Sequence, residues 1–248
     1  MAPILFKFHN ITLYTYGFFV ALAVLVSYFF AGRRAKSMNL EPSMASDLVF
    51  YVFIFGVIGA RLFYVAQHFE EYQNDLLKII AIPEGGLVWY GGFIFAAIAG
   101  LAVAAWNKWP YLEGCDLLAP LVPLAHAIGR LGCFFNGCCY GRETRSWMGV
   151  VFPGDDIRRL PVQLFEAGAL FLLSGGLFYL SRKKLPKGGL FMVYLMTYSV
   201  LRFLIEFLRG DQKVACYLTL PQWTSAFFFV GSFFLLLSMK KRSKARKL

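Results

Sequence analysis

The sequence has few charged residues, which make up 16% of its 248 residues, whereas hydrophobic residues make up 58%. A soluble domain carries roughly a quarter charged residues, so this composition argues against a water-soluble fold. Histidine is also scarce, with three in the chain, and no Cys-x-x-Cys pair occurs. These absences argue against a structural zinc site, and we predict neither a metal ion nor another cofactor.

A basic segment and a cleavage site are both missing around the first apolar block. Lys7 is the only charged residue ahead of it, and no run of small residues follows it. A secretory signal peptide needs both features. We therefore interpret the block as a membrane span that the protein retains.

Long apolar runs are what the sequence has instead. Segments of about 20 apolar residues cross a bilayer as helices. We predict an all-α integral membrane protein, a seven-helix transmembrane bundle that forms a single polytopic domain over residues 1–248. The predicted spans are residues 13–31, 45–66, 87–106, 115–134, 162–180, 189–208 and 222–239.

The basic residues predict the orientation of the bundle, since they concentrate in cytoplasmic loops. Three of them follow the first span, four follow the fifth, and six lie in the tail at residues 240–248, whereas the second loop is mainly acidic. The N-terminus is therefore predicted outside and the tail in the cytoplasm. This pattern also accounts for most of the net charge of +11, so we predict no nucleic-acid partner.

The longest predicted loop, residues 135–161, joins the fourth and fifth spans and faces outward in this topology. It contains prolines, glycines and four arginines, and those arginines break the charge pattern of the other outer loops. We predict a structured cap on the outer membrane surface.

Arg61, Arg130, Arg202 and Glu206 are ionisable residues inside predicted spans, where such a charge costs about 2.5–3.5 kcal/mol at the bilayer centre. In the predicted topology all four lie at the outer ends of their helices, together with several polar residues from the inward-running spans. We infer a polar cavity near the outer leaflet, although single arginines also snorkel towards headgroups. The polar residues are Tyr16, Tyr90, Gln163 and Glu166.

Arginines around such a cavity suit a phosphate group, because a guanidinium binds phosphate oxygens through two parallel hydrogen bonds. Arg202, Glu206 and Arg209 are spaced i, i+4, i+7 and share a helical face. A phospholipid headgroup is the phosphate available at this depth.

The stretch HAIGRLGCFFNGCCYGR, residues 126–142, combines glycines and cysteines at the end of the fourth span. Glycines such as Gly129 let backbones approach each other or a ligand closely. Cys133, Cys138 and Cys139 lie on the predicted outer side, which permits oxidation. Small packing residues, a disulfide, and metal or redox chemistry all remain open for them.

This stretch resembles the signature of the bacterial prolipoprotein diacylglyceryl transferases. The resemblance extends along almost the whole chain, with the family's motifs in order. These are TYG at residues 15–17, GARLFYV at 59–65, GGLVWYGG at 85–92, CDLLAP at 115–120, RLPVQLFEA at 159–167 and RFLIEFLRGD at 202–211.

The resemblance implies a transferase of the bacterial cytoplasmic membrane, multi-pass, with its active site near the outer leaflet. It implies that the diacylglyceryl group of phosphatidylglycerol moves to the thiol of the lipobox cysteine in a prolipoprotein signal peptide. A thioether forms and glycerol phosphate leaves, as the first step of lipoprotein maturation.

The resemblance also implies roles for individual residues. Arg130 and Arg202 would bind the phosphate and leaving group, with Arg61 and Arg209 as second choices. Glu206 would orient Arg202 and Arg209 or accept a proton. The remaining substrate-binding candidates are Tyr16 and Asn136 at the headgroup, with Gln163 and Gly129 beside them.

The base that activates the substrate thiol is the open question. Some members of the family carry a histidine where this sequence has Tyr90, and many carry an asparagine at Cys133. A tyrosine is a poor base at neutral pH, because its reference pKa is about 10. His126, one turn before Arg130, is the slightly favoured alternative base. His126 could instead be a packing residue inside the bundle.

A transporter for an anionic solute or phospholipid is the main rival function, because transporters also use intramembrane arginines and broken helices. A transport path needs polar residues through the inner half of the membrane as well, and the sequence has few there. It also shows no internal repeat. A seven-helix receptor is a weaker rival, since no lysine lies deep in the last span.

Overall fold

The computed structural model describes residues 3–8, 11–73, 75–80, 86–183, 185–209, 214–215 and 217–245. In chain order its elements are β1 (Ile4–Phe8), β2 (Ile11–Tyr14), α1 (Thr15–Ser37), α2 (Pro42–Gln67), α3 (Phe69–Tyr72), a 3₁₀ helix (Leu76–Ile80), α4 (Trp89–Trp106), α5 (Tyr111–Leu118), α6 (Leu121–Asn136), β3 (Val150–Val151), β4 (Arg158–Arg159), α7 (Val162–Leu180), α8 (Gly189–Glu206), β5 (Val214–Ala215), β6 (Leu218–Thr219) and α9 (Leu220–Ala245).

Helices dominate the described residues, and each predicted span coincides with helical structure. Six helical segments are long and apolar enough to cross a membrane, and Tyr90–Trp106 is a shorter apolar helix. The prediction of a mostly helical integral membrane protein is therefore confirmed. The six segments are Thr15–Ser37, Pro42–Gln67, Tyr111–Asn136, Val162–Leu180, Gly189–Glu206 and Leu220–Lys241.

The chain forms two compact units, one of Met1–Ala23 with Cys115–Leu248 and the other of Val24–Gly114. We call them the signature unit and the α2–α4 unit. In the α2–α4 unit, the two long helices pack at paired glycines. A Cβ atom added to Gly91 would lie 2.4 Å from the carbonyl oxygen of Gly59, so only glycine allows the backbones this close.

The predicted fourth span consists of two helices, α5 and α6, because Pro120 interrupts the ladder of backbone hydrogen bonds between them. Ser174 on α7 donates a 2.8 Å hydrogen bond to the carbonyl oxygen of Pro120. Pro120 is the N-cap residue of α6, so this bond ties α7 to the start of α6.

Asp116 on α5 caps the start of α8. Its carboxylate oxygens accept hydrogen bonds from the backbone nitrogens of Gly188, at 2.7 Å, and Phe191, at 2.9 Å. A carboxylate is favoured there because the first N–H groups of a helix have no partner within the helix. The cap fixes α8, which carries Arg202 and Glu206, to the helix pair that carries Arg130.

Short β-strands, which the sequence analysis did not predict, lie between the helices and before α1. β1 and β2 form an antiparallel hairpin before α1.

The loop between α6 and α7 begins at residue 137, because α6 continues through Asn136. This loop is structured: β3 pairs with β4, and Arg159 forms ion pairs with Asp155 and Glu143.

The last helix extends beyond its predicted limits of residues 222 and 239. α9 runs from Leu220 to Ala245 and so includes most of the basic tail. The helix continues there because lysine, arginine and alanine all have good helix propensity. Residues 246–248 of the predicted tail lie outside the described residues.

Candidate active site

The signature stretch folds as a helix end followed by a tight return of the chain. Gly137 has φ +77° and stops α6 in the left-handed conformation that glycine adopts without steric cost. Its N–H donates to the carbonyl oxygen of Phe134, and the N–H of Cys138 donates to that of Cys133, both at 3.1 Å. These two bonds define a Schellman motif, which brings the residues after the helix back onto its last turn.

Arg130 forms a buried ion pair with Glu166 on α7. The Nε atom of Arg130 lies 2.9 Å from Glu166 Oε2, and the Glu166 side chain is 2% exposed. His126 approaches the other carboxylate oxygen, with Nε2 3.6 Å from Oε1. Glu166 therefore lies between the histidine and the arginine that the sequence singled out.

Arg202 forms the second buried ion pair, with Glu206 one turn later on α8. The Nη1 atom of Arg202 lies 2.6 Å from Glu206 Oε2. The hydroxyl of Thr219 donates a 2.8 Å hydrogen bond to the other carboxylate oxygen. Glu206 therefore contacts both Arg202 and Thr219.

In both ion pairs the glutamate is buried and the arginine is partly exposed. Both carboxylates are essentially inaccessible, whereas the side chains of Arg130 and Arg202 keep 16% and 17% of their surface exposed. The ring of His126 lies 5.9 Å from that of Tyr198, which is one turn before Arg202 on α8, so the two pairs lie close together. Each glutamate holds one edge of a guanidinium, and the accessible edge is available to an anion.

The return loop is held in place by α7 and by the end of α8. Gln163 donates a 2.6 Å hydrogen bond from Nε2 to the carbonyl oxygen of Cys138. The N–H of Arg142 donates to the carbonyl oxygen of Leu208 at 2.9 Å. At Gly141 an added Cβ would lie 2.4 Å from Val162 Cγ2 and 2.6 Å from that same carbonyl oxygen, so only glycine fits.

Tyr16 lies beside the signature because α1 packs against α6 at Gly132. A Cβ at Gly132 would lie 2.9 Å from Phe19 Cβ and 3.4 Å from Tyr16 Cδ2. The Tyr16 side chain is 40% exposed, so its ring is accessible next to α6, the helix that carries Arg130. A Cβ at Gly129 would meet no atom of the described residues within 4 Å, which leaves this helix surface open to a ligand.

The three cysteines of the signature come together. Their sulfur atoms all lie within 4.8 Å of one another, and all three are free thiols. Hydrogen bonds with the thiols of Cys133 and Cys138 lower the pKa of the Cys139 thiol. The nearby positive charges of Arg130 and Arg209 act in the same direction.

Arg61 and Tyr90 lie in the α2–α4 unit. The guanidinium of Arg61 is buried and donates hydrogen bonds to the carbonyl oxygens of Ile79 at 2.8 Å, Lys78 at 2.5 Å and Gly86 at 3.2 Å. Arg61 therefore fixes the segment between α3 and α4, a structural use that the sequence did not predict. Tyr90 is 57% exposed at the start of α4.

Within the signature unit, the structure brings together most of the predicted site residues. Asn136 is the last residue of α6, and Arg209 lies close enough to Cys139 for its charge to act on that thiol. Sequence reasoning placed Glu166 in the polar cavity but gave it no role, and it did not assign Thr219 to the site. Glu166 lies in the motif RLPVQLFEA. Nothing in the sequence indicated that Thr219 belongs to the site, because a threonine just before a helix is commonly a helix cap.

A family model for prolipoprotein diacylglyceryl transferases matches residues 3–238. The chain belongs to the prolipoprotein diacylglyceryl transferase family. The predicted resemblance is therefore confirmed, and with it the prediction of a transferase.

Similar curated proteins carry the same description. The phosphatidylglycerol–prolipoprotein diacylglyceryl transferase 2 of Clostridium perfringens is 30% identical over 253 residues, covering 100% of this chain and 98% of the relative. The transferase of Parasynechococcus marenigrum is 38% identical over 223 residues, covering 84% and 80%. That of Clostridium tetani is 33% identical over 224 residues, covering 86% and 87%.

Proposed function

We propose that this protein transfers the diacylglyceryl group of phosphatidylglycerol to the thiol of the lipobox cysteine in a prolipoprotein. The thiolate sulfur attacks the glyceryl carbon that bears the phosphate, the bond between that carbon and the phosphate oxygen breaks, and glycerol phosphate leaves. The observation that carries the proposal is the pair of buried Arg–Glu contacts in a chain whose relatives are named for this reaction.

Arg130 and Arg202 bind the phosphate of the lipid and stabilise the charge that develops on the leaving oxygen. Each is oriented by a glutamate, so little reorganisation is needed as that charge grows. A guanidinium stays protonated at any physiological pH. Tyr16 and Asn136 contact the headgroup, Gly129 gives it room beside α6, and Arg209 is a further cation for the same anion.

His126 accepts the proton of the substrate thiol. A neutral imidazole is available as a base near pH 7, since its reference pKa is about 6.5. Glu166, 3.6 Å from its ring, stabilises the imidazolium that forms. Tyr90 is the alternative acceptor, and Gln163 serves by holding the return loop at Cys138.

The protein crosses the bacterial cytoplasmic membrane seven times, with its N-terminus outside and its tail in the cytoplasm. The six long apolar segments and the shorter helix Tyr90–Trp106 supply the seven spans. The basic loops then fall on one side. The site opens near the outer leaflet, where a lipid headgroup and a secreted precursor both meet it.

The test is a transfer assay with the full-length protein in vesicles of phosphatidylglycerol. A lipobox peptide that gains the mass of a diacylglyceryl group supports the proposal, and the same peptide with serine at the lipobox cysteine is the control. Vesicles of phosphatidylcholine test the choice of lipid. An unchanged peptide mass with folded protein would contradict the proposal.

A further inference from the structure

The cysteine cluster of Cys133, Cys138 and Cys139 is not used by the transfer chemistry described so far. Three sulfur atoms within 4.8 Å of one another need only small movements to bind one metal ion. With zinc–sulfur bonds of about 2.3 Å, tetrahedral geometry places ligand sulfurs about 3.8 Å apart. We propose, contrary to the expectation of no metal ion drawn from the sequence, that this cluster binds a zinc ion through its three thiolates.

The backbone is built to bring these thiols together. The Schellman motif returns Cys138 to the last turn of α6, where Cys133 lies. Side chains of adjacent residues in an extended chain point in opposite directions, which would separate Cys138 from Cys139. Cys139 has φ +62°, a conformation that non-glycine residues rarely adopt, and the two sulfur atoms remain close.

The charges around the cluster favour such an ion. Zinc with three thiolates carries a net charge of −1. Arg130 and Arg209 lie close enough for their charges to act on Cys139, and they offset this charge. Neighbouring cysteines such as Cys138 and Cys139 form a strained disulfide, so oxidation within this pair is a poor alternative use.

A zinc ion with three protein ligands has a fourth position open, as catalytic zinc sites have. The substrate thiol fills this position as a thiolate, because coordination to zinc deprotonates a thiol. This second step rests on the proposed function. Cys133 of the cluster lies on the same helix as Arg130, so the bound thiolate would lie near the phosphate of the lipid.

The step balances without an oxidant or reductant. The thiol binds zinc as a thiolate, and its proton passes through water to His126, the acceptor proposed above, which lies two turns before Cys133 on α6. The sulfur then forms a bond to the glyceryl carbon, and the electron pair of the broken carbon–oxygen bond goes to the phosphate. The product thioether is neutral and binds zinc more weakly than a thiolate does, which favours its release.

Zinc content tests the metal site directly. Full-length protein, purified under reducing conditions, loaded with zinc and freed of excess, should retain about one zinc ion per chain. Cys133→Ser and Cys139→Ser should weaken zinc binding by more than about 100-fold. Cys115→Ser is the matched control, because Cys115 is also a free thiol but lies on α5, and this variant should keep its zinc.

Cobalt tests the fourth ligand in the wild-type protein and so does not depend on the folding of any variant. Cobalt in place of zinc should show thiolate charge-transfer absorption, and this should grow when a lipobox peptide is added. The peptide with serine at the lipobox cysteine should leave the spectrum unchanged. An equal response to both peptides would overturn the thiol-binding step.

Different results would contradict the zinc site and the proposed transferase function. Wild-type protein that takes up no zinc but transfers the diacylglyceryl group overturns the metal site and leaves the function intact. Equal zinc retention in all cysteine variants would also overturn it. Protein that binds zinc at the three cysteines without any transfer would overturn the proposed function instead.

Discussion

Arg130 and Arg202 each present a guanidinium whose planar donors match a phosphate, which a lysine ammonium does not reproduce. We expect Arg130→Ala or Arg202→Ala to slow transfer by at least about 100-fold, the cost of removing one charge-stabilising donor. The lysine variants should recover little of that loss. Arg182→Ala, in the loop after α7, is the control and should keep the wild-type rate. Near-wild-type lysine variants would show that charge alone suffices.

Glu166 is a buried carboxylate, and removing its charge leaves Arg130 unpaired. Glu166→Gln should therefore lower the free energy of unfolding by about 3–5 kcal/mol and reduce transfer as well. Glu143→Gln removes a carboxylate that pairs with Arg159 at the surface, at 3.7 Å and with 61% exposure, and it should cost less than about 1 kcal/mol. Thermal denaturation in detergent compares the two. Equal melting temperatures would contradict the structural role of Glu166.

His126 must be neutral to accept a proton, so the transfer rate should rise with pH as the imidazole loses its charge. In His126→Gln this rise should disappear and the rate should fall. Tyr90→Phe should keep the wild-type profile. The measurement is the pH–rate profile of all three proteins with one lipobox peptide. A profile that changes only in Tyr90→Phe would assign the proton to the tyrosine.

The arginines of the site were predictable from sequence because a charge within an apolar run has few explanations. Their partners were less predictable. Glu206 follows Arg202 at i+4 on one helix, so the spacing indicates the contact. Glu166 pairs with Arg130 from another helix, and no local spacing reports that. Arg61 is a further case, since its hydrogen bonds to backbone carbonyls have no signature in the sequence.

Among the structural elements, the loop after α6 depends on close packing at Gly141. Gly141→Ala would place a Cβ 2.4 Å from Val162 Cγ2 and 2.6 Å from the carbonyl oxygen of Leu208. We expect a loss of about 1–3 kcal/mol in the free energy of unfolding together with lower transfer, because the loop carries Cys138 and Cys139 and is hydrogen-bonded to Leu208 after α8. Melting temperature and transfer rate are the two measurements.

Gly168→Ala is the matched control for this substitution. Gly168 lies within α7, and an added Cβ there meets no described atom within 4 Å. Alanine has the higher helix propensity, so the melting temperature should stay the same or rise, by an amount that corresponds to less than about 1 kcal/mol. Similar destabilisation in both variants would mean that the close contact at Gly141 is not the cause.

The helices themselves were predictable, because a run of about 20 apolar residues is a strong signal. What the runs did not reveal was their internal geometry. Pro120 divides the predicted fourth span into α5 and α6, and α9 continues to Ala245 beyond its apolar part. The hairpin of β1 and β2 depends on pairing between short segments, which hydropathy does not detect.

At the scale of the whole molecule, the proposed membrane topology can be tested. Reporter fusions to the tail should be active in the cytoplasm, and fusions within residues 137–161 should be active outside the membrane. The reason is the concentration of lysine and arginine in the first and fifth loops and the tail. A tail that reports from outside would contradict both the topology and the placement of the site near the outer leaflet.

The two ion pairs also differ in when each can form during synthesis. Arg202 and Glu206 lie one turn apart on α8, so the translocon meets this segment with its charges already matched. Arg130 reaches the translocon before Glu166 has been translated, and insertion of an unmatched arginine is unfavourable. We therefore expect α6 to enter the lipid only together with α7, as a helical hairpin, and α8 to enter on its own.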